Sequence, residues 1–523
     1  MLEALQIIGL DDRELIAGIV GRLASSGLNM ATGVSVWAEF RADRCAVQDE
    51  DRQVSYGELA RRIRAIGAGL ARRGVAPGST VGLLCRNHAY LVESLCSALQ
   101  TGSDVVLLNT AFAAPQLRAV IEREGVGTLI HDEDLEPLLE GLPEETPRLL
   151  AWHRAAEGRR TLEELTREDP GDWTPHDPMG QAIILTSGTT GTPKGARQRK
   201  TDTRRSPRGS QIDTLRRLGL RSGDTKLIAS PLFHAWGANM LMSGMLLGET
   251  IVLERHFDPE RTLATLERTG AHVLAAVPVM LQRILALDPE RRKRYRTDTL
   301  RSVIVSGSAL SASLAGAWMD AFGENLHNLY GSTEAGSIAV ANPADLRDAP
   351  GTAGRSPAHT ELRILDESGQ PLPQGQTGRI FALTGMQFDE YTGGGSKQII
   401  DGFMCTGDLG YQDTAGRLFV VGREDEMIIS GGENVFPSEI ESLLAAHPEV
   451  QEVAIVGVPD DAFGQRLRAY VVRRDESSLT EEAIRDHVRS HLARYKVPRD
   501  VVFLDELPRN PAGKILKRLL VGS

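Results

Sequence analysis

Short apolar runs alternate with amphipathic stretches along most of the chain, and this rhythm limits the possible folds more than any other feature. The patterns typical of buried strands lie at 81–85, 104–108, 128–130, 182–185, 226–229, 250–253, 272–275 and 302–305. Helical patterns separate several of them, at 56–73, 115–123 and 259–269. Because strands alternate with helices, we expect layered α/β structure with largely parallel sheets.

The pattern changes near residue 360 and again near 422. Short strands at 361–365 and 378–383, separated by Gly and Pro turns, predict a small β-rich subdomain. The last part of the chain predicts helix, strand, strand, helix and strand, at 437–446, 450–458, 467–472, 481–492 and 501–503. A chain of 523 residues is too long for one ordinary core. We therefore predict a large N-terminal domain over 1–422 and a small α+β C-terminal domain over 423–523.

Charge and cysteine content exclude several classes of protein. The net charge of −11 argues against general nucleic-acid binding, which relies on a basic surface. The four cysteines include no CxxC pair, so we expect neither a disulfide framework nor a zinc site; they are Cys45, Cys85, Cys96 and Cys405. The N-terminus lacks the basic start and long apolar run of a signal peptide. Charged residues interrupt the most apolar region, 81–102, so we expect a cytoplasmic protein with no transmembrane segment.

A glycine- and hydroxyl-rich stretch, "LTSGTTGTPKGARQRK" at 185–200, directly follows a predicted buried strand. Glycines let backbone N–H groups converge on an anion, hydroxyls donate hydrogen bonds, and Lys194 adds positive charge, so the stretch suits phosphate. It is not a Walker A loop, because Gly195 stands where that motif needs Ser or Thr. The protein-kinase glycine pattern is absent as well. By composition alone, a flexible linker remains the alternative.

Four further motifs follow this stretch in order. They are "YGSTE" at 330–334, "TGDLG" at 406–410, "GREDEMIISGGENV" at 422–435 and "PRNPAGKILKR" at 508–518. Together with "TSGTTGTPKG", they resemble the motifs of the adenylate-forming superfamily, which includes acyl-CoA synthetases, nonribosomal adenylation domains and luciferases. The sequences of the segments "SPLFHAWG" and "EYTGGGSKQIIDGFMCTGDLG" are most similar to those of bacterial fatty acyl-CoA synthetases.

The resemblance implies a two-step reaction that uses ATP, Mg²⁺ and CoA. A carboxylate attacks the α-phosphate of ATP, giving an acyl-adenylate and pyrophosphate, and a thiol then displaces AMP. The resemblance also implies which residues bind ATP: Thr186, Ser187, Gly188, Thr189, Thr190, Gly191 and Lys194 at the phosphates, Gly307, Ser308 and Tyr330 at the base, Asp408 and Arg423 at the ribose, and Gly331 and Ser332 elsewhere on the nucleotide. Tyr330 is expected to stack on adenine, with a core aromatic as the alternative.

Four residues are candidates for the chemistry itself. The resemblance implies that Lys514 bridges the carboxylate and the α-phosphate, and that Thr333 donates to the α-phosphate. Glu334, with Thr190, is expected to hold Mg²⁺, a hard cation that prefers oxygen ligands. His234 is expected to gate the pocket near the carboxylate. Without the resemblance, Lys514 suggests only a surface lysine, and Thr333 with Glu334 only a helix cap and its first turn.

The resemblance implies that the C-terminal domain is mobile and turns about Asp425. Lys514 must be present for the first step and absent for the second, when a pantetheine thiol has to reach the same carbonyl. Gly431 and Gly432 are then expected to line the thiol tunnel, where missing side chains leave room.

Residues near the predicted acyl site indicate which acid the protein uses, and the resemblance indicates the thiol. His234 stands where amino-acid-activating relatives carry an aspartate for the substrate ammonium, so an amino acid is disfavoured. Trp236 and Gly237 suggest an apolar acyl pocket, and we expect a medium- or long-chain fatty acid. CoA is the expected acceptor, and a fatty acyl-adenylate ligase that loads an acyl-carrier protein is the alternative. A luciferase-like oxygenase, which also makes an adenylate and shares the motifs, is a further alternative for the function. The protein is expected to be a monomer or a homodimer.

One basic segment has no counterpart in the resemblance. Between Arg197 and Arg221 the chain carries nine Lys or Arg and two Asp. We expect a solvated loop that leads into a helix, and the alternative is a cationic lip near the polyphosphate.

Overall fold

A computed structural model describes residues 30–143, 145–156, 158–186, 194–198, 208–385, 388–391, 397–430, 433–460, 464–475, 477–510 and 513–521. Within these residues the chain is a mixed α/β structure with a large N-terminal part and a smaller C-terminal part, as predicted. None of the described helices is both long and apolar enough to cross a membrane.

The helices are spread along the chain and cover the faces of the sheets. Their bounds are α1 Met30–Phe40, α2 Tyr56–Arg72, α3 Ala89–Gln100, α4 Ala114–Arg123, α5 Leu162–Leu165, α6 Arg208–Arg217, α7 Ala235–Leu247, α8 Pro259–Thr269, α9 Pro278–Leu285, α10 Pro289–Arg292, α11 Ala312–Phe322, α12 Pro343–Asp348, α13 Pro437–Ala445, α14 Glu481–His491 and α15 Lys517–Val521. Short 3-10 turns lie at Glu133–Leu139, Glu424–Glu426 and Arg494–Lys496.

The strands form four sheets. Their bounds are β1 Cys45–Gln48, β2 Gln53–Ser55, β3 Thr80–Leu84, β4 Asp104–Leu107, β5 Thr128–His131, β6 Arg148–Leu150, β7 Ala182–Thr186, β8 Lys194–Gln198, β9 Thr225–Ile228, β10 Thr250–Leu253, β11 Val273–Ala276, β12 Ser302–Val305, β13 Leu326–Ser332, β14 Gly336–Ala341, β15 Glu361–Leu365, β16 Gly378–Leu383, β17 Phe388–Tyr391, β18 Ile399–Ile400, β19 Phe403–Gln412, β20 Leu418–Arg423, β21 Ile428–Ser430, β22 Glu433–Val435, β23 Val450–Asp460, β24 Gly464–Arg473 and β25 Asp500–Leu504.

The helix α2 shows how the local sequence produces these elements. Ser55 caps its N-terminus by accepting a hydrogen bond from the backbone N–H of Glu58. Its buried side chains recur every three or four residues, so they form one apolar stripe against the core; they include Leu59, Ile63, Ile66 and Leu70.

The N-terminal part contains two large sheets, and the predicted parallel pairing holds for most of both. The first has the order β14-β13-β12-β11-β9-β10-β1-β2, and its strands from β13 to β1 pair in parallel. The second has the order β17-β8-β7-β4-β3-β5-β6 and is parallel from β7 to β6. Both bury continuous apolar runs, as expected for strands covered on both faces.

One edge of the second sheet is antiparallel, which the sequence patterns did not indicate. Strand β8 runs antiparallel to β7, and β17 antiparallel to β8. The start of the basic segment, at Arg197, therefore belongs to a strand and not to a loop. Residues 199–207 of that segment lie outside the described residues. The predicted helix is present as α6, where Asp213 pairs with Arg216 and Arg217.

The third and fourth sheets follow the change of pattern near residue 360. The third is the predicted β-rich subdomain, with the order β15-β16-β19-β18 and with β20 on β19. It ends at Arg423, and the fourth sheet begins with β21 at Ile428. The fourth, with the order β22-β21-β24-β23 and with β25 on β24, has its own apolar core. The domain boundary at 422 remains a prediction.

Candidate active site

Four loops meet where the parallel strands of the eight-stranded sheet end. Neighbouring parallel strands present their carboxyl ends at the same edge, which is where open α/β sheets bind ligands. The segments that follow or end β9, β11, β12 and β13 therefore lie along one edge; they are 229–234, 277–279, 306–308 and 330–334. Three of these segments carry residues that the sequence predicted for the site.

The motif "YGSTE" forms the end of β13 and the turn into β14. Ser332 pairs with Gly336, so Thr333 and Glu334 lie in a tight hairpin turn and do not begin a helix. A Cβ at Gly331 would lie 2.2 Å from the Gly336 carbonyl oxygen, which explains the glycine. The Ser332 hydroxyl accepts a hydrogen bond from the Ala335 N–H at 3.1 Å. Thr333 and Glu334 are half-buried.

The base-binding candidates Gly307 and Ser308 follow β12. Gly307 has φ +86°, a left-handed conformation that side chains disfavour, and it is exposed, whereas Ser308 is half-buried. A Cβ at Gly307 would meet Val277 Cγ1 at 3.7 Å, so the loops after β11 and β12 are adjacent.

The predicted ribose carboxylate, Asp408, joins the third sheet to this edge. The Tyr330 hydroxyl donates to its Oδ2 at 2.5 Å, and Arg423 Nη1 lies 3.3 Å from its Oδ1. Burial raises the pKa of Asp408, while the hydrogen bond from Tyr330 and the charges of Arg423 and Lys514 lower it. Burial next to this carboxylate raises the pKa of Tyr330 well above its ordinary value. Tyr330 is thus held through its hydroxyl, and its stacking on adenine remains a prediction.

Lys514 lies on a tight turn of the C-terminal part. Asn510 fixes the turn, because its Oδ1 accepts the Lys514 N–H at 2.8 Å and its own N–H binds the Lys514 carbonyl at 2.9 Å. Gly513 has φ +78°, and a Cβ there would lie 2.4 Å from Val279 Cγ1 of the N-terminal part. The exposed Lys514 therefore faces the edge where Asp408 lies, as the effect of its charge on the Asp408 pKa also indicates.

The hinge candidate Asp425 lies in the 3-10 turn between the third and fourth sheets. Arg423 Nε donates to its Oδ1 at 3.2 Å, so one guanidinium binds both the ribose candidate Asp408 and the hinge candidate. Lys517 Nζ lies 3.4 Å from Glu426 and 2.8 Å from Glu441, which ties this turn to α13.

His234, Trp236 and Gly237 lie at the start of α7. His234 Nε2 is buried with no hydrogen-bond partner among the described residues, and burial lowers the pKa of His234 to about 4. The histidine is therefore neutral at physiological pH. Trp236 is buried, and its indole N–H donates to the Ala276 carbonyl at 2.9 Å. A Cβ at Gly237 would lie 2.3 Å from the Pro231 carbonyl oxygen. Packing explains both residue types, and their role in an acyl pocket remains a prediction.

The two ends of the predicted phosphate loop lie side by side, because Thr186 in β7 pairs with Lys194 in β8. The remaining candidates fall outside the described residues: Ser187, Gly188, Thr189, Thr190, Gly191, Gly431 and Gly432.

Two places offer side chains of the types that ligate metal ions. At the hairpin turn, the Glu334 carboxylate offers the hard oxygen ligand that suits Mg²⁺. Within the described residues, Cys85, His88 and Asp132 also bring their ligand atoms within 4.8 Å of one another. There, His88 Nε2 bonds Asp132 at 2.8 Å, and His88 Nδ1 accepts the Leu91 N–H at 3.2 Å. Both ring nitrogens are used, so this second cluster is a satisfied polar pair of the core.

Sequence reasoning missed the residues that place Lys514. Val277 and Val279 contact the turn from the N-terminal part, and Arg509 Nη1 donates to the Gly513 carbonyl at 2.6 Å. Asn510 alone carried a local signal, because Asn before Pro is typical of turns. Val277 and Val279 are ordinary residues whose role depends on contact across the two parts, and Arg509 acts within the C-terminal part.

Comparison with known proteins agrees with this geometry. The model of the AMP-binding enzyme family matches residues 34–391, and that of the AMP-binding enzyme C-terminal domain matches 439–514. The chain is 33% identical to a feruloyl-CoA synthase of Amycolatopsis sp, covering 93% of this chain and 98% of that protein. It is 30% identical to the fatty acid–[acyl-carrier-protein] ligase ScoC of Streptomyces coeruleorubidus, with 93% and 94% covered.

A solved structure shows the same likeness. The o-succinylbenzoate CoA synthetase of Bacillus subtilis, in complex with its acyl-adenylate intermediate, superposes with a TM-score of 0.81 at 28% identity, covering 93% of this chain and 97% of that one. This chain belongs to the AMP-binding enzyme family and resembles its adenylate-forming CoA ligases over nearly its whole length.

Proposed function

We propose that the protein is an ATP-dependent acid–CoA ligase. A carboxylate oxygen of the acid bonds to the α-phosphorus of ATP as the bond to the β-phosphate breaks, giving an acyl-adenylate and pyrophosphate. The CoA thiol, losing its proton, then bonds to the acyl carbon, and AMP leaves. Both steps join anionic or electron-rich partners, so the site must supply positive charge and oriented donors.

One observation carries the proposal: Lys514 of the C-terminal part faces Asp408 of the N-terminal part. Its ammonium is close enough to lower the Asp408 pKa, and Gly513 before it lies against Val279. If Asp408 binds the ribose, the lysine approaches the α-phosphate on the same nucleotide.

Mg²⁺ belongs to the proposal as the cofactor. Glu334 would hold it together with Thr190, and the bound ion would supply positive charge near the phosphates. Removing the metal with EDTA is expected to abolish pyrophosphate release, and excess Mg²⁺ to restore it. Glu334→Gln is expected to raise the Mg²⁺ concentration needed for half-maximal rate.

For the acid, we propose an aromatic or arylalkyl carboxylic acid. The feruloyl-CoA synthase and the o-succinylbenzoate CoA synthetase are named for such acids, and both match over more than 90% of the chain. Neutral His234 supports the exclusion of amino acids, because it offers no negative charge to a substrate ammonium. A medium- or long-chain fatty acid is the second candidate, since the relative ScoC is named for a fatty acid.

The test is pyrophosphate release by the purified protein with ATP, Mg²⁺ and a panel of acids. The panel contains cinnamic-type, indole and benzoic acids, straight-chain acids of increasing length, and amino acids. Highest kcat/KM with an arylalkyl acid supports the first candidate, and highest kcat/KM with a long straight chain supports the second. Highest activity with an amino acid, or none with any acid, contradicts the proposal.

The thiol is tested separately. Thioester formation is measured with CoA and with an acyl-carrier protein that bears a phosphopantetheine arm. We expect CoA to be the better acceptor. A preference for the carrier protein would support the ligase activity for which ScoC is named.

The hinge at Asp425 is tested by its replacement with proline. Fixing the backbone at this position is expected to spare pyrophosphate release and to slow thioester formation, because the C-terminal part must turn between the two steps. Equal effects on both steps would contradict the assignment.

A further inference from the structure

One face of α9 contacts the C-terminal part at two places. Val279 lies against Gly513, with 2.4 Å between its Cγ1 and a Cβ built at the glycine. Gln282 Nε2 donates to the Gln451 carbonyl at 2.6 Å. Because residues three apart lie on the same side of a helix, the two contacts come from one face of α9.

The two contact points are also joined within the C-terminal part. Glu452, next to Gln451, pairs with Arg509 Nη2 at 3.1 Å. Arg509 Nη1 donates to the Gly513 carbonyl at 2.6 Å. A continuous series of contacts therefore runs from Gln282 through the start of β23 and Arg509 to Gly513, the residue before Lys514.

We propose that Gln282 is a positioning residue for acyl-adenylate formation. Its amide holds the start of β23 against α9, and through Arg509 this holds the turn of Lys514 at the carboxyl edge of the sheet. The bond exists only while the C-terminal part lies in this orientation, so Gln282 acts on the first step and not on the second. The inference rests on the proposed function.

The test compares three variants. Gln282→Glu keeps the size of the side chain and replaces the amide donor with an acceptor that faces a carbonyl. Gln282→Lys restores a donor. Arg283→Ala is the matched control, because Arg283 is an exposed neighbour on the same helix. Pyrophosphate release is measured without thiol, and thioester formation is measured from synthetic acyl-adenylate.

We expect Gln282→Glu to slow pyrophosphate release about two- to tenfold, the effect of losing one neutral hydrogen bond. The KM for ATP should not change, because Gln282 affects only the placement of Lys514. The other predicted ATP-binding residues lie in the N-terminal domain predicted over 1–422, or just past its boundary at Arg423. Thioester formation should keep its rate, Gln282→Lys should recover most of the loss, and Arg283→Ala should match the parent. Unchanged pyrophosphate release in Gln282→Glu, or equal loss in both steps, would overturn the inference.

Hydrogen exchange without substrates separates this inference from the proposed function. Amides of 450–453 and 513–516 should exchange faster in Gln282→Glu than in the parent and the Arg283→Ala control. If the parent releases no pyrophosphate with any acid, the proposed function fails, and the exchange result still decides the contact. Unchanged exchange in Gln282→Glu refutes the role of Gln282.

Discussion

Replacing Gly513 with alanine tests the docking of Lys514 most directly. The substitution has two costs. A non-glycine residue at φ +78° costs about 1–2 kcal/mol whether or not the turn is docked. The new Cβ would also lie 2.4 Å from Val279 Cγ1 and 3.3 Å from Val277 Cγ2, well inside ordinary contact of about 3.5–4 Å. This overlap affects only the docked orientation and, by analogy with overpacking, costs about 1–3 kcal/mol. We therefore expect acyl-adenylate formation to slow by about 5- to 150-fold.

The assay is single-turnover pyrophosphate release, set against thioester formation from preformed acyl-adenylate, which should be nearly unchanged. Gly416→Ala is the control, because Gly416 has φ +75° with no atom near its built Cβ, and so carries the backbone cost alone. Adding Val279→Ala to Gly513→Ala makes room for the new methyl group and should recover part of the rate. Gly513→Ala adenylating within twofold of Gly416→Ala, or losing both steps equally, would refute the reasoning.

Three further predictions concern the nucleotide site and the core. Asp408→Asn should lower kcat/KM for ATP about 10- to 100-fold, because hydrogen bonds to a charged group are lost; unchanged initial rates over a range of ATP would contradict it. Lys226 Nζ lies 2.5 Å from Glu249 Oε2, and both side chains are fully buried. Lys226→Met should therefore lower the free energy of unfolding, measured in urea, by about 3–5 kcal/mol, because it leaves a buried carboxylate without its partner. Adding Glu249→Leu should recover most of that loss. Burial lowers the pKa of His234 and of His327 from 6.5 to about 4, so below about pH 6.5 the unfolded chain binds protons that the folded chain does not. The free energy of unfolding should therefore fall from about pH 6.5 to about pH 4, by up to about 3 kcal/mol for each histidine; a flat profile would contradict this.

The parallel strands were predictable because a strand that is buried on both faces is visible in the sequence as a short, mostly apolar run. The runs at 226–229 and 302–305 are apolar at three of their four positions, as expected for strands covered on both faces; the exceptions are Lys226 and Ser302. The structure has them as β9 and β12, with differences of at most one residue at the ends. The five elements predicted between 437 and 503 are also present, as α13, β23, β24, α14 and β25, whereas β21, β22 and α15 were not predicted.

The antiparallel edge of the second sheet was not predictable. Strand β8 is basic and shows no alternation of apolar and polar residues, and its partner β17 lies far away in sequence. What makes it a strand is backbone hydrogen bonding to β7 and β17, which does not require apolar side chains. The pairing of β21 with β22 was missed for a similar reason, because both strands are only three residues long.

By itself, the sequence determined the family chemistry of this protein: the carboxylates, hydroxyls and lysines that occur in five ordered motifs, and the α/β layers that hold them. Tertiary structure alone decided how those residues meet. The Tyr330 hydroxyl donates a hydrogen bond to Asp408. The Arg423 guanidinium donates to both Asp408 and Asp425. Gly513 packs against Val279. The physical reason is that residue type is a local property, whereas these contacts join strands of different sheets and two separate cores, whose relative placement no local pattern records.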